Sequence, residues 1–103
     1  METYELAQLS ITQGSYGKSL AYERAKLFII TDHGSKHWYV ELDGLSDEDV
    51  LRRFEESEDI GVSLAATTAD GRAWTGCGYF HPNSRHRAAN IRGEGPLEGF
   101  GTP

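Results

Sequence analysis

Apolar and polar positions alternate through most of the first half of the chain. Apolar side chains recur at every second position from Tyr4 to Ile11, with one change of parity at Ala7-Gln8. Strict alternation is typical of a strand with one buried face, and a change of parity indicates a bulge. The pattern therefore predicts a first strand that is bent near Ala7. Gly14–Gly17 follows it as a predicted turn or mobile loop.

The next apolar segment is an unbroken run, Leu27–Ile30, made of residues that favour strands. Such a run is typical of a strand that is covered on both faces. His33-Gly34 is a dipeptide that favours a turn, and strict alternation of apolar and polar residues resumes after it. We therefore expect a β-hairpin that turns at His33-Gly34. The apolar positions of its return strand are Trp38, Val40 and Leu42.

One amphipathic helix is predicted near the middle of the chain. Ser46 is the expected N-cap, because three acidic residues follow it and acids in a first turn complement the helix dipole. Val50, Leu51 and Phe54 share one helical face, which should pack against the sheet. Acidic residues are unfavourable at a helix C-terminus, so the helix should end near Ser57.

A second hairpin is expected at Asp70-Gly71, which separates two further alternating segments. The return strand should run over 72–80, where Gly76 and Gly78 lie on the Trp74 face. Glycines inside a strand leave space for a bulge, for a crossing backbone or for a ligand.

The last quarter of the chain is less regular. His81–Ser84 should break the strand, and Arg87–Arg92 is expected to form a last short strand. Residues 93–103 form a glycine-rich tail, which is suited to an extended edge segment with Phe100 as its anchor.

This succession predicts a single domain over residues 1–103, which is mainly β (or α+β). We expect a small antiparallel β-barrel or sandwich of five to six strands, with one α-helix between the third and fourth strands. The order is OB-like, but order defines an architecture and not a family. The twelve glycines agree with a fold rich in tight turns.

The net charge of −6 disfavours nonspecific binding to nucleic acid or to an anionic membrane. The charge is unevenly distributed, with nine acids from Glu41 to Asp59, and four arginines, two histidines and no acid from Gly71 to Gly93. Such separation suits self-association or a charged partner. It equally suits an acidic helix that lies beside a basic loop.

Cys77 is the only cysteine, which excludes a disulfide within the chain and favours a reducing compartment. The first ten residues contain neither a basic segment nor an apolar run, so we expect no signal peptide. No stretch approaches the roughly 20 apolar residues of a membrane span. The expected location is the cytoplasm, without membrane attachment.

Cys77, His81 and His86 have the spacing C-x₃-H-x₄-H, which matches no standard zinc pattern. We therefore expect no metal and no cofactor, with Cys77 as a small buried packing residue. A cysteine nucleophile also needs a neighbouring base and an orienting group, and the sequence indicates neither. The sequence thus identifies no catalytic residues, which favours a protein that is not an enzyme.

Three functions remain open at this point. A protein-interaction or self-association module would bind a protein partner, or a second copy of the chain, through a sheet face or an edge. An OB-like barrel would bind single-stranded nucleic acid with aromatic and basic side chains. A small-ligand barrel would use the space beside Gly76 and Gly78, lined by Trp38, Trp74 and Tyr79. The candidate binding surface comprises Tyr79, His81, Arg85, His86, Arg87 and Arg92.

Overall fold

The first half of the chain forms four strands in a computed structural model that describes residues 1–99. They are β1 (Glu2–Gln13), β2 (Tyr16–Ser19), β3 (Arg24–Asp32) and β4 (Ser35–Asp43). The turn between β3 and β4 is at His33-Gly34, where both residues have positive φ. The predicted first hairpin is confirmed.

The second half contains the helix α1 (Glu48–Glu56) and three strands, β5 (Gly61–Thr68), β6 (Ala73–Asn83) and β7 (Ala88–Glu98). The second hairpin turns at Asp70-Gly71 as expected, with Gly71 at positive φ. Within residues 1–99, no helix is long and apolar enough to cross a membrane.

Six of the strands form a closed antiparallel barrel. The order around it is β1-β3-β4-β7-β6-β5, and β5 pairs with β1 to complete the circle. The small antiparallel barrel with one helix is therefore confirmed. The helix follows β4, because the predicted loop contains the short strand β2. No alternating pattern marks β2, since its side chains are exposed or only half-buried.

A bulge in β1 allows this strand to pair with three others. The β1–β5 register shifts between Leu6 and Gln8, at the predicted change of parity. Residues 2–5 pair with β3, and residues 10–13 pair with β2 on the far side of the bulge. The bend lets one long strand serve both as a barrel strand and as the support of β2.

The barrel interior is filled by side chains from every barrel strand and from α1. Trp38, Trp74 and Phe80 are buried, and Phe54 of the helix packs on Phe80 with ring centroids 4.6 Å apart. Val50 and Leu51 are buried on the same helical face, as expected.

The prediction that β3 is covered on both faces is wrong. Leu27 and Ile29 are buried, but Phe28 and Ile30 lie on the outer face and are half-buried. Within residues 1–99, no second layer packs on this part of the barrel. Instead, Phe28 stacks on Tyr39 of β4, with ring centroids 4.7 Å apart and ring planes 12° from parallel.

The helix N-cap is Asp47 and not the predicted Ser46. The Asp47 carboxylate accepts hydrogen bonds from the backbone N–H groups of Asp49 (3.0 Å) and Val50 (3.4 Å). Ser46 belongs to the preceding connection, because its backbone N–H donates to the Ala21 carbonyl. The helix ends with Ser57 as C-cap, as predicted.

The predicted break at His81–Ser84 is also misplaced. β6 continues through Pro82 to Asn83, and the chain turns in a short 3₁₀ segment, Ser84–His86. Proline is tolerated here because β5 pairs with β6 only as far as Tyr79, so Pro82 has a strand on one side alone.

The glycine-rich tail is in part a continuation of β7. Residues 93–98 extend the predicted short strand, and Gly93, Glu94 and Glu98 pair with β6 on one side. In the described part of the chain, no strand pairs with the other side of residues 93–98. Phe100, the expected anchor, lies outside the described residues.

Trp38 fills the space that two glycines leave inside the barrel wall. A Cβ added at Gly93 would lie within 2.6 Å of three atoms of the Trp38 indole, and one added at Gly76 would lie 2.9 Å from its Cζ2. Gly78 faces the carbonyl oxygen of Arg92 at similarly short range. These glycines allow the ring and the crossing backbone to approach closely.

Replacement of Gly93 tests this packing. We expect Gly93→Ala to lower the free energy of unfolding by about 1–3 kcal/mol, because the indole must move to admit a methyl group. Gly17→Ala is the matched control, since a Cβ there would meet only Thr12 at 3.5 Å. Urea denaturation measures both values. Equal stability of the two variants would contradict the described contact.

Replacement of the N-cap tests the position at which the helix begins. We expect Asp47→Ala to cost about 1 kcal/mol near neutral pH, and Ser46→Ala to have little effect. Lys18, whose Nζ lies 2.6 Å from Asp47 Oδ2, holds the pKa of the Asp47 carboxyl below its ordinary value.

A depressed pKa in the folded state means that the carboxylate stabilises the fold above its unfolded-state pKa. This contribution is lost as the pH falls through the lower, folded-state pKa. The stability difference between the wild type and Asp47→Ala should therefore be constant near neutral pH and shrink in acid. Chemical denaturation over a range of pH measures it, and a difference independent of pH would be inconsistent with this role.

Candidate functional site

The structure divides the predicted binding surface into two parts. Tyr79 and Arg92 are cross-strand partners on the outer face of β6 and β7, and His81 lies two residues further along, opposite Asn90. The other three residues, Arg85, His86 and Arg87, belong to the 3₁₀ turn and its C-cap.

The basic turn lies against the acidic helix. An Arg87 guanidinium nitrogen is 2.5 Å from a carboxylate oxygen of Glu48, and the backbone N–H of Ser84 donates to Glu55 at 3.3 Å. The uneven distribution of charge along the chain had two explanations, a charged partner or an acidic helix that lies beside a basic loop. These contacts agree with the second. Arg87 is therefore less available to an external anion than the sequence indicates.

A transverse row of aromatic and cationic side chains crosses the outer face of four strands. The register places Phe28 opposite Tyr39, Tyr39 opposite Arg92, and Arg92 opposite Tyr79. Tyr79 is 38 % exposed, and Tyr39 is half-buried by its stacking on Phe28. Tyr79 belongs to the predicted binding surface, but sequence reasoning could not place Phe28 and Tyr39 beside it.

Tyr79 is held by Glu94, which also lies on the outer face. The Tyr79 hydroxyl donates to the Glu94 carboxylate at 2.7 Å. This hydrogen bond, with the nearby negative charge, raises the pKa of the Tyr79 phenol above its ordinary value.

Cys77 is exposed, so the prediction of a buried packing residue is wrong. Its neighbours Gly76 and Gly78 are turned toward the interior, and alternation along the strand turns Cys77 outward. Its Sγ lies 3.7 Å from the Ser63 hydroxyl. Over residues 1–99, no group of three His, Cys, Asp or Glu side chains is placed to hold a metal ion.

The strands β4 and β7 separate at one end of the barrel. Their ladder runs from Leu42↔Ala89 to Tyr39↔Arg92 and stops there. At the next position the Trp38 side chain lies over Gly93, and its Nε1 donates to the Gly95 carbonyl at 3.1 Å. We call the gap beyond this point the seam. It is lined by Ile29, Ser35, Lys36, His37, Trp38, Gly93, Gly95, Pro96 and Leu97.

A second depression adjoins the seam on the outer face, and we call it the outer groove. Both contain His37, Trp38 and Gly93, so they form one continuous surface. Among residues 1–99, neither lining includes an aspartate or a glutamate. This is unusual in a chain with 16 acids and 10 bases. The outer groove is lined by His37, Trp38, Tyr39, His81, Asn90, Arg92 and Gly93.

Arg92, like Arg24 and Arg85, is an arginine without an ion pair within residues 1–99. Arg52, Arg72 and Arg87 lie near carboxylates, whereas Arg92 forms no ion pair or side-chain hydrogen bond with any residue in the range 1–99. It is exposed at the outer groove, between Tyr39 and Tyr79. It is therefore a cation available to a bound anion.

Another depression lies on the outer face of β1, β5 and β6, around Ser10, Ser63 and Thr75. It exists because small side chains line this part of the barrel. Glu94 and Glu98 lie at its rim, and Cys77 is its most reactive group. Glu94, the cross-strand partner of Cys77, is engaged by the Tyr79 hydroxyl, and no histidine within residues 1–99 lines this depression.

Comparison with known proteins identifies no relative of this chain: no family model, curated protein or solved structure matches it. Fold and surface together define a small antiparallel barrel with an open seam between two of its strands. The function is therefore inferred from the geometry and charge of that seam and of the outer groove.

The contact between Tyr79 and Glu94 has a measurable consequence. We expect Glu94→Ala to lower the pKa of Tyr79 toward its ordinary value, because the acceptor and its negative charge are both removed. Glu98→Ala, on the same strand, should leave that pKa unchanged. An NMR titration of the Tyr79 ring measures the difference. A Tyr79 pKa that does not move in Glu94→Ala would show that the hydrogen bond is absent in solution.

Proposed function

We propose that this domain is a non-enzymatic protein-interaction module that binds an extended segment of a partner protein at the seam. The main supporting observation is the edge of β7 over residues 93–97. β6 pairs with Gly93 and Glu94 and, beyond a register shift, with Glu98, and no other strand in the described chain pairs with the opposite side of this stretch. An exposed edge is a template for the addition of a further strand.

The residues along this edge suit a close approach by another backbone. Gly93 and Gly95 have no side chains to obstruct it, and an added Cβ at Gly95 would meet no atom within 4 Å. Leu97, which is half-buried, provides apolar surface beside the edge, and the buried Trp38 also lines the seam. In strand addition, backbone hydrogen bonds give affinity, while pockets for alternate side chains give specificity.

The short strand β2 is the other edge of the sheet, and it is less suitable. It has four residues, and its Lys18 is held in an ion pair with Asp47. The guanidinium of Arg53 lies 3.8 Å from the centroid of the Tyr16 ring and covers it. Short edges with charged side chains resist the addition of another strand.

An OB-like binder of single-stranded nucleic acid is the second candidate. The position of Arg92 between Tyr39 and Tyr79 favours it, because stacking platforms beside cations are typical of such surfaces. The net charge of −6 and the pairing of Arg87 with Glu48 disfavour it. The hypothesis of a small-ligand barrel is disfavoured, because Trp38 fills the space beside Gly76 and Tyr79 faces outward.

A cytoplasmic location agrees with this proposal. The single cysteine has no partner for a disulfide within the chain, and its thiol is exposed. Exposed thiols persist in reducing compartments. The protein partner is either a different chain or a second copy of this one.

Selection from a display library of random peptides, about twelve residues long, tests the proposal. We expect enriched peptides to bind the wild-type domain at a ratio of one to one, with NMR shifts at Ile29, Trp38 and 93–97. Leu97→Glu should weaken them about tenfold or more, because it places a charge in the seam. Ile60→Glu is the matched control, since Ile60 is also half-buried but lies at the start of β5.

Peptides that shift residues elsewhere, or that bind Leu97→Glu as well as wild type, would contradict the proposal. The absence of any enriched peptide would contradict it as well. Light scattering at high protein concentration shows whether a second copy is the partner. In the same binding assay, a mixed-sequence oligonucleotide at low salt should not bind. Oligonucleotide binding that weakens steeply with salt would favour the second candidate instead.

A further inference from the structure

We propose that the seam and the outer groove select one kind of extended segment, in which an apolar residue and an acidic residue are adjacent. The apolar side chain enters the seam beside Trp38, and the carboxylate meets Arg92. This inference rests on the proposed strand addition and defines the chemistry of the partner.

The apolar part of the site is formed by three side chains at the open end of the barrel. Ile29 and Trp38 are buried, and Leu97 is half-buried. They lie on β3, β4 and β7, so they surround the seam from three strands. Because Leu97 is only partly covered, an apolar side chain placed there would remove additional apolar surface from water.

The charged part of the site is Arg92, one residue before Gly93. Its guanidinium forms no ion pair within residues 1–99, and the linings of the seam and the outer groove include no carboxylate there. The lining of the outer groove also contributes His37, His81 and Asn90, which do not repel an anion. Glu94, the acidic residue nearest in sequence on the same outer face, is held by the Tyr79 hydroxyl. Electrostatic complementarity of this kind gives specificity for an acidic partner.

The two parts lie on opposite faces of the same strand, and this fixes their spacing in the partner. Arg92 faces outward and its neighbour Gly93 contacts the inward-facing Trp38. Successive side chains of an added strand also point to opposite faces. The apolar residue and the acidic residue therefore occupy adjacent positions. Two positions that are separated by one residue would place both side chains on the same face.

An acidic polypeptide fits this surface better than a nucleic acid does. Trp38 is 5 % exposed and offers no face for a base. One face of Tyr39 is already covered by Phe28. Apart from the Gly95 carbonyl, which accepts from Trp38, and Pro96, which has no N–H, the edge of β7 presents backbone groups that pair with a polypeptide. A phosphate chain has no equivalent use for these groups.

Blocked peptides of about ten residues test the inference, each with two variable positions in a background of threonine and serine. The first contains Leu-Glu, the second Leu-Lys, the third Ser-Glu, and the fourth Leu and Glu separated by one threonine. We expect Leu-Glu to bind about tenfold more tightly than each of the others, measured by fluorescence anisotropy at low salt. Arg92→Glu should reverse the preference between Leu-Glu and Leu-Lys, while Arg52→Glu, an equal charge change on α1, should not.

The variant Trp74→Phe leaves Trp38 as the sole tryptophan and provides a second readout. Its emission should change when Leu-Glu binds and stay constant with Ser-Glu, because only leucine reaches the indole. Equal binding of Leu-Glu and Leu-Lys, or an unchanged preference in Arg92→Glu, would overturn this inference. Peptides from the random library would still bind at the seam in that case, and the proposed function would stand. Failure of both peptide sets would remove the proposed function too.

Discussion

The Trp38 indole lies between β4 and β7 at the point where their ladder ends, and the surface of interest is arranged around it. The ring packs on Gly93 and reaches Gly76 on the next strand, positions at which any side chain would collide with it. Its Nε1 bonds to the Gly95 carbonyl, so a side chain links two strands that backbone pairing no longer joins. The seam begins on one side of this ring and the outer groove on the other. The interior is thus closed by packing while an edge of the wall remains open.

Local neutralisation of charge explains how an acidic chain presents a cationic groove. Acidic residues at the start of α1 form ion pairs close to the helix. Glu48 pairs with Arg87, and the N-cap Asp47 pairs with Lys18. Arg92 belongs to the same basic stretch of sequence as Arg87, but it lies on the barrel wall beyond the reach of the helix. The cationic side chains that line the seam and the outer groove are thus opposite in sign to the net charge of the chain. What an approaching segment meets is set by the few groups within about one Debye length.

Local patterns predicted those elements whose structure depends on neighbours in sequence. The hairpins at His33-Gly34 and Asp70-Gly71, the bulge near Ala7 and the buried helical face all follow from periodicity and turn chemistry. The strand β2 escaped prediction because its side chains have no buried face to impose alternation. The choice of Asp47 over Ser46 as N-cap depended on a backbone bond between Ser46 and Ala21, which is distant in the chain.

The candidate site was predictable only in part, because several of its contacts join residues that are distant in sequence. Tyr79 and His81 could be identified because they alternate with Trp74 and Phe80 along β6, and Arg92 because it belongs to the basic stretch that follows. The positions of Phe28, Tyr39 and Trp38 beside them depend on the antiparallel pairing of β4 with β7, which joins segments about fifty residues apart. The periodicity of a sequence shows which face of a strand is buried, but it does not predict which other strand pairs with it. The seam is a property of that pairing and of the point where it stops, so it exists only once the barrel has closed.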